Sequence, residues 1–178
     1  MKTITASELS ATEYESVVFL DCDFTDADLG SHRLVDCTFE RCNLSGTTWR
    51  GCSLNHVVFR SSKLLGADLT GLRKTFLSVT FEDCKLDYAD FGGLPLAKTR
   101  FTRSSLIDAG FVGTDLSNAV FEACDVSGAS FRNTNLSGAD LRGADGCVLD
   151  PDANKVQGAR LDLSGLPGLL TKYKLRLD

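Results

Sequence analysis

The sequence is poor in histidine and lacks the common catalytic and nucleotide-binding motifs. Only two histidines occur in 178 residues, and there is no P-loop, no GxGxxG dinucleotide motif and no GxSxG nucleophile motif. His32 and His56 are a conceivable catalytic pair, but no matched nucleophile or acid completes a set of catalytic roles. We therefore expect a protein that is not an enzyme, with no catalytic residue and no cofactor.

Metal sites and membrane spans are not indicated either. The seven cysteines never stand in CxxC spacing, so we expect no metal site. No long apolar run and no signal peptide can be recognised, which predicts no contact with a membrane and a cytoplasmic location. Many free thiols are typical of that reducing compartment.

What the sequence does contain is a five-residue repeat. All eleven phenylalanines and the single tryptophan fall on a grid of large apolar residues that starts at Phe19, slips by two residues after Leu69 and resumes at Phe76. A period of five fits neither a strand nor a helix. The residue two before each grid point is small, and six of the cysteines occupy this position, where we interpret them as packing residues. Glycine often closes the unit, which suits a tight turn.

These units resemble the pentapeptide-repeat family. Its pattern A(D/N)LxG stands here at residues 67–71 and 139–143, and the resemblance covers roughly residues 15–146. The resemblance implies an all-β fold, a right-handed quadrilateral parallel β-helix in which four units make one square turn. Residues twenty apart, or twenty-two apart across the slip, should then stack in columns.

The four faces of the square are named here by their first core residue. The columns start at Phe19 (face one), Phe24 (face two), Leu29 (face three) and Leu34 (face four). Phe76 falls in the column of face four on this grid. The phenylalanines of face one stay in phase across the slip, so we predict that the two extra residues form a bulge at one corner.

The net charge of −5 is unevenly distributed over these faces. Acids gather on face two and the leading edge of face three, whereas faces four and one mix both signs. The acidic side is interpreted either as a solvated surface that keeps the rod soluble, or as an imitation of the charge on duplex DNA. In the second case the predicted partner contacts are Asp26, Asp28, Asp68, Asp87, Asp90 and Asp108, with Arg73 and Lys74 at the bulge.

The repeat decays after Leu141. We divide the chain into a β-helix over residues 1–149, including an irregular N-terminal coil, and a last irregular coil with a capping helix over residues 150–178. Ser164 can cap this helix, and the spacing of the apolar residues after it is that of one helical stripe. Alternation at the end of the chain suggests a short strand. The simplest interpretation is a cap that closes the solenoid.

This tail also resembles the C-terminal end of one subset of the family, the Qnr quinolone-resistance proteins and the immunity proteins against microcin B17 and albicidin. The resemblance implies a homodimer formed through Leu166, Leu169, Leu170, Tyr173, Leu175 and Leu177. It also implies a DNA-mimicking binder of DNA gyrase or topoisomerase IV that protects the enzyme from a poison and binds no nucleic acid itself. The Qnr members project two sizeable loops and this chain has only the slip, which leaves the poison open. The alternative is a scaffold or regulatory protein with an unrelated partner.

Overall fold

Short parallel strands stacked turn upon turn build the protein. The computed structural model describes residues 2–4 and 12–174. It is a parallel β-solenoid of about seven turns with one short C-terminal helix, which confirms the predicted fold. The strands are β1 Lys2–Ile4, β2 Glu13–Glu15, β3 Val17–Leu20, β4 Arg33–Val35, β5 Thr38–Glu40, β6 Ser53–Asn55, β7 Val57–Arg60, β8 Val79–Glu82, β9 Arg100–Thr102, β10 Val120–Glu122, β11 Cys124–Asp125 and β12 Ala144–Asp145.

Each strand pairs in parallel with the strand on the same face of the next turn. Face one carries a seven-stranded sheet in the order β1-β3-β5-β7-β8-β9-β10, face four carries β2-β4-β6, and face two carries β11-β12. The remaining turns are joined by isolated parallel bridges. Phe39 pairs with Phe59, and Phe59 pairs with Phe81, so the register is twenty residues before the bulge and twenty-two across it.

Two columns of stacked aromatic rings fill the core. On face one the rings of Phe81, Phe101 and Phe121 lie 5.2 and 4.8 Å apart, with interplanar angles of 6° and 8°. On face three the rings of Phe91 and Phe111 lie 5.0 Å apart. The two columns meet edge to face, for example at 6.1 Å between Phe101 and Phe111. Offset and edge-to-face contacts of this kind add to the free energy of burying the rings.

A residue in the left-handed conformation closes nearly every five-residue unit. The φ angle is +50° at Asp36, +67° at Gly46 and +70° at Gly113. Glycine, aspartate and asparagine tolerate this conformation best, which explains why they close so many units. Gly71 is an exception because its φ is not positive; a side chain there would lie 2.8 Å from the Cα of Arg50, so Gly71 permits close contact between two turns.

The prediction that Phe76 lies in the core column of face four is wrong. Its side chain is 81% exposed and its φ is +59°, whereas Leu77 packs partly buried against the core. The backbone N–H of Arg73 still donates to the carbonyl of Cys52 at 2.8 Å, so the twenty-residue register persists up to Arg73. The next core position therefore falls on Lys74, whose charge opposes burial. The chain bulges outward here, and the regular ladder resumes at β8.

The small inward positions hold cysteines and hydroxyl residues. All seven cysteines are free and buried, and burial raises the pKa of Cys42 and of Cys52 to about 12. The hydroxyl of Thr114 donates to the carbonyl of Phe91 at 2.8 Å, and that of Thr134 donates to Phe111 at 2.7 Å. Within the described residues every buried side-chain nitrogen and oxygen has a partner. The inward thiols therefore act as unreactive packing groups.

The first coil differs from the others in length. β1 pairs with β3 in the register Lys2 to Val17, which is shorter than the twenty-residue turns that follow. At the other end, bridges join Asn135 to Lys155 and Asp140 to Arg160, so the stacking continues into the last coil. The division of the chain at residue 149 stays a prediction.

We expect Phe101→Ala to destabilise the protein by about 3–5 kcal/mol, because it removes a fully buried ring and leaves a cavity between two stacked neighbours. Phe76→Ala is the matched control, with an expected change within about 0.5 kcal/mol, since its ring is exposed. Urea unfolding followed by circular dichroism measures both. An equal loss of unfolding free energy in the two variants would contradict a stabilising role for the stacked rings.

Candidate functional site

Three of the six predicted aspartates lie in one ladder on face three. Parallel bridges join Asp28 to Thr48, Thr48 to Asp68, and Asp68 to Asp90, and the three aspartates are exposed. Gly110 continues the ladder on the next turn. Each aspartate points outward because its two neighbours in the unit, one small and one large, both point into the core.

Each carboxylate of this ladder also stabilises the turn that follows it, by accepting a hydrogen bond from the backbone two residues later. Oδ1 of Asp28 accepts a hydrogen bond from the backbone of Gly30 at 2.8 Å, and Oδ1 of Asp68 accepts from the backbone of Thr70 at 3.0 Å. Oδ1 of Asp90 accepts from Gly92 at 2.8 Å. Each of these bonds uses one oxygen of the carboxylate and does not neutralise its charge. Local bonds of this kind are common for an aspartate next to a turn.

The other three predicted aspartates have different surroundings. Asp26 and Asp108 are exposed and occupy the corner between faces two and three, each with a positive φ. Asp87 is partly buried, and its carboxylate accepts hydrogen bonds from the hydroxyl of Ser105 and from the backbone of Ile107. Asp87 thus joins two turns, whereas the corner pair is free to contact a partner.

None of the six aspartates forms an ion pair within the described part of the chain. Face two is less acidic than face three, because Lys63 and Lys85 stand in its ladder between Asp23 and Asp125. We define the acidic corner as Asp26, Asp28, Asp68, Asp90 and Asp108. It carries negative charge that takes part in no ion pair among the described residues.

Face one, on the opposite side of the rod, is neutralised by ion pairs between turns. The pairs between turns are Arg41 with Asp21 at 2.7 Å, Arg60 with Glu82 at 2.9 Å, Arg103 with Asp83 at 2.7 Å and Arg100 with Glu122 at 3.3 Å. Within one turn, Arg142 pairs with Asp140 at 2.6 Å. The hydrogen bonds from Arg142 lower the pKa of Asp140 to about 2. The two sides of the rod therefore differ in their unpaired charge.

The bulge places unpaired cations beside an exposed ring. Arg73 and Lys74 are both exposed, as predicted for a bulge, and neither side chain forms an ion pair with a described residue. Phe76 stands next to them with its side chain exposed. Sequence analysis missed Phe76 as a surface residue because it matched the core period.

The C-terminal helix lies across the last coil. A 3-10 turn over Leu163–Gly165 leads into α1, Leu166–Leu170, which a second 3-10 turn over Thr171–Tyr173 follows. The prediction that Ser164 caps the helix is wrong, because Gly165 occupies that position and no side-chain cap is formed. A side chain at position 168 would lie 2.0 Å from the carbonyl oxygen of Cys147, so Gly168 allows the helix to touch the coil.

The predicted dimer residues of the tail fall into two groups. Leu169 packs against the core and Leu170 is partly buried, whereas Leu166 and Tyr173 are 47% and 55% exposed. Leu175 and Leu177, with the strand predicted there, lie outside the described residues.

Two further apolar residues of the C-terminal end are exposed: Leu163, which precedes the helix, is 84% exposed, and Val148, which lines a groove with Pro167 and Gly168, is 50% exposed. We define the C-terminal apolar patch as Val148, Leu163, Leu166 and Tyr173. Sequence analysis missed Leu163 and Val148, which fall outside the helical stripe.

Family comparisons agree with this architecture. The family described as "Pentapeptide repeat region" matches residues 12–91, and that described as "Pentapeptide repeats (8 copies)" matches residues 84–122 and 114–145. This chain belongs to the pentapeptide-repeat family.

Individual relatives include resistance proteins. The quinolone resistance pentapeptide repeat protein QnrB96 of Scandinavium goeteborgense is 27% identical over 115 residues, which cover 64% of this chain and 53% of that protein. The chain thus spans about half the length of this curated relative.

Solved structures of pentapeptide-repeat proteins share the fold. Full-length QnrB1, a plasmid-mediated fluoroquinolone resistance protein, gives a TM-score of 0.67 at 21% identity and covers 98% of this chain and 95% of its own. HetL from Nostoc sp. strain PCC 7120, involved in heterocyst differentiation regulation, gives a TM-score of 0.50 at 20% identity, covering 86% of this chain and 87% of its own.

The histidines of this pentapeptide-repeat protein have structural contacts. Nδ1 of His32 lies 3.1 Å from the carbonyl oxygen of Leu29 and 3.0 Å from that of Gly30. Nδ1 of His56 lies 3.2 Å from Oδ1 of Asp36 on the surface. In the described part of the chain, no group of three or more His, Cys, Asp or Glu residues could hold a metal ion. No helix there has the length and apolar character needed to cross a membrane.

A charged latch holds the C-terminal helix in place. The ammonium group of Lys172 donates to the carboxylates of Asp150 and Asp152 in the turn of the last coil. The hydrogen bond from Lys172 lowers the pKa of Asp150. Because that folded-state pKa is depressed, the contribution of this contact to stability is present above the ordinary carboxyl pKa and is lost as the pH falls through the lowered value.

We expect Lys172→Gln to loosen the helix from the coil. Amide hydrogens of residues 166–173 should exchange about threefold to tenfold faster at pH 7, because two charge-assisted bonds at an exposed site are lost. Lys155→Gln is the control, since the Lys155 side chain has no partner among the described residues. Hydrogen–deuterium exchange measured by mass spectrometry tests this, and equal exchange in both variants would contradict the latch.

Proposed function

We propose that this chain is a DNA-mimicking protein that binds DNA gyrase or topoisomerase IV and protects the enzyme from a topoisomerase poison. The observation that carries the proposal is the likeness in sequence to QnrB96, whose name gives quinolone resistance as its role. The acidic corner supports the binding mode. No covalent chemistry is required of the chain, and the seven free thiols support a reducing cytoplasm as its location.

The charge density of the acidic side resembles that of DNA. The six predicted aspartates are distributed over four successive steps between turns, and each step is about 4.8 Å, as between paired strands. This gives about one carboxylate per 3 Å of the rod, close to the 3.4 Å between phosphates along one DNA strand. The second turn interrupts the series, since Thr48 and Gly46 occupy the positions of acids there.

The position of these charges favours a large basic partner. A stiff rod that carries unpaired negative charge along one edge attracts a positive groove over several turns, so association would be fast and sensitive to salt. Arg73 and Lys74 would contact acidic residues of the same enzyme at the bulge, since both cations are unpaired. The neutralised face one would point away from the enzyme.

The C-terminal apolar patch would join two copies end to end. Its exposed leucines and its tyrosine ring are the kind of residues that form interface anchors. In such a dimer the patch of one copy would contact the same patch of the other, because a two-fold interface uses identical surfaces. Leu169 and Leu170, which pack against the coil, would support the helix from behind.

The deciding experiment titrates the protein into gyrase supercoiling and cleavage-complex assays, with and without several poisons. We expect rescue of supercoiling and fewer cleavage complexes with at least one class of poison. A protein that neither binds gyrase or topoisomerase IV nor changes these reactions would contradict the proposal and favour a scaffold with an unrelated partner.

The charge mechanism is tested with Asp28→Asn, Asp68→Asn and Asp90→Asn combined. Asparagine keeps the oxygen that accepts the turn hydrogen bond and removes only the charge. At low salt we expect this variant to bind gyrase about tenfold more weakly than the wild type, because each exposed charge contributes at most about 1 kcal/mol. At high salt the difference in affinity should be smaller, because salt screens the charges.

The control for that variant removes three charges from faces four and one, by Glu15→Gln, Asp36→Asn and Glu122→Gln. The overall charge changes equally, so binding should stay within about twofold of the wild type if position matters rather than net charge. An equal loss in both variants would contradict mimicry by the acidic corner.

The dimer is tested with Leu166→Lys. We expect this variant to sediment as a monomer at concentrations where the wild type is a dimer, because a charge would be buried in an apolar contact. Val112→Lys is a matched control: Val112 is 46% exposed, close to the 47% of Leu166, but lies on face three. Analytical ultracentrifugation distinguishes the two, and a wild type that is monomeric would overturn the proposed assembly.

A further inference from the structure

A groove on face four lies beside the bulge, away from the acidic corner. Its volume is about 480 Å³, and its walls include His32, Arg33, Ser53, Arg73 and Phe76. Grooves of this size commonly hold small ligands. The walls come from three successive turns and from the bulge.

Positive charge in this groove is largely unpaired. The side chain of Arg73 makes no hydrogen bond or ion pair with a described residue. Arg33 has one acidic neighbour, Glu13, at 3.9 Å, with both side chains more than half exposed. An exposed contact of that length contributes little, so Glu13 can move aside for a stronger anion. Guanidinium groups bind phosphate through paired hydrogen bonds.

The tautomer of His32 leaves a second nitrogen for a ligand. Its Nδ1 lies near two carbonyl oxygens, of Leu29 and Gly30, which can only accept hydrogen bonds. Nδ1 must therefore carry a proton and donate. Nε2 has no hydrogen-bond partner among the described residues, so it is available to a ligand in the groove.

The bulge adds free backbone donors. The amide N–H groups of residues 74–76 donate to no described residue, in contrast to the ladder on either side, where Arg73 and Ser78 both donate to the preceding turn. Consecutive free amides form concave surfaces that bind anions. Hydroxyl groups of Ser53 and Thr75 also line the groove.

We propose that this groove binds a phosphate monoester whose organic part is a flat ring, as in a nucleoside monophosphate. Arg33, Arg73 and the bulge amides hold the phosphate, since a doubly charged group with three acceptor oxygens matches two guanidinium groups and several N–H donors. The exposed ring of Phe76 covers the flat ring of the ligand by stacking. The proposal does not rest on topoisomerase binding, although Arg73 would serve both as a ligand of the phosphate and as a contact with that enzyme.

The test is calorimetric titration of the full chain, without any topoisomerase, with adenosine monophosphate, inorganic phosphate and adenosine. We expect the nucleotide to bind more tightly than inorganic phosphate and adenosine not to bind. Equal binding of adenosine and the nucleotide, or no binding of the nucleotide, would overturn the proposal.

Single substitutions test which residues contact the nucleotide. Arg73→Gln should weaken nucleotide binding at least tenfold, whereas Arg132→Gln, which removes an exposed arginine from face three, should leave it within twofold. Glu13→Gln should strengthen binding by removing the competing carboxylate. Phe76→Ala should weaken the binding of the nucleotide but not the binding of inorganic phosphate. Unchanged thermal unfolding checks that each variant folds, and a nucleotide affinity that is the same in the Arg73 variant and the wild type would contradict the site.

Discussion

The left-handed residue that closes each five-residue unit is the constraint on which the rest of the structure depends. It bends the backbone at every corner, so that one small and one large side chain of each unit point inward and the others point outward. The backbone donors and acceptors are then directed along the rod and pair with the turns above and below. Where the register changes, between Arg73 and Ser78, the ladder opens and backbone donors of the bulge have no partner on the preceding turn.

Because the backbone fixes which positions face outward, each face can acquire its own chemistry without altering the core. Face three carries unpaired aspartates, face one carries ion pairs between turns, and face four carries a basic groove. Charges that stand on successive turns are close enough to interact across paired strands. On face one this proximity gives attraction between turns. On face three it gives repulsion between Asp68 and Asp90, which are direct neighbours in the ladder, whereas Thr48 separates Asp28 from Asp68.

Most of the fold could be predicted from the period together with the family resemblance, since the columns from Phe19 to Phe121 stack as expected across the slip. The exposed position of Phe76 could not be predicted, because hydrophobic periodicity does not show at which residue the register of the ladder changes. That depends on how far the hydrogen-bonded ladder extends, here to Arg73. Likewise the outward position of the aspartates follows from the repeat, but the local bonds that tie Asp87 into the next turn depend on side-chain geometry.

The C-terminal segment was the least predictable part, because its contacts are tertiary. A helical stripe could be recognised, but the latch from Lys172 to the last coil and the close approach at Gly168 have no periodic signature. The exposed Tyr88, on the corner between faces two and three, has no periodic signature either. It occupies the last position of its five-residue unit with a φ of +61°, where glycine and aspartate are the usual residues.

The buried cysteines have a consequence for following how this rod opens. They occur on most turns from Cys22 to Cys147, and each thiol is shielded from solvent. In a solenoid, each turn contacts only its neighbours, so opening can begin at an end and advance turn by turn. A thiol reagent would therefore modify each cysteine only when its own turn opens, and the order of modification would trace the path of unwinding along the native chain without any introduced label.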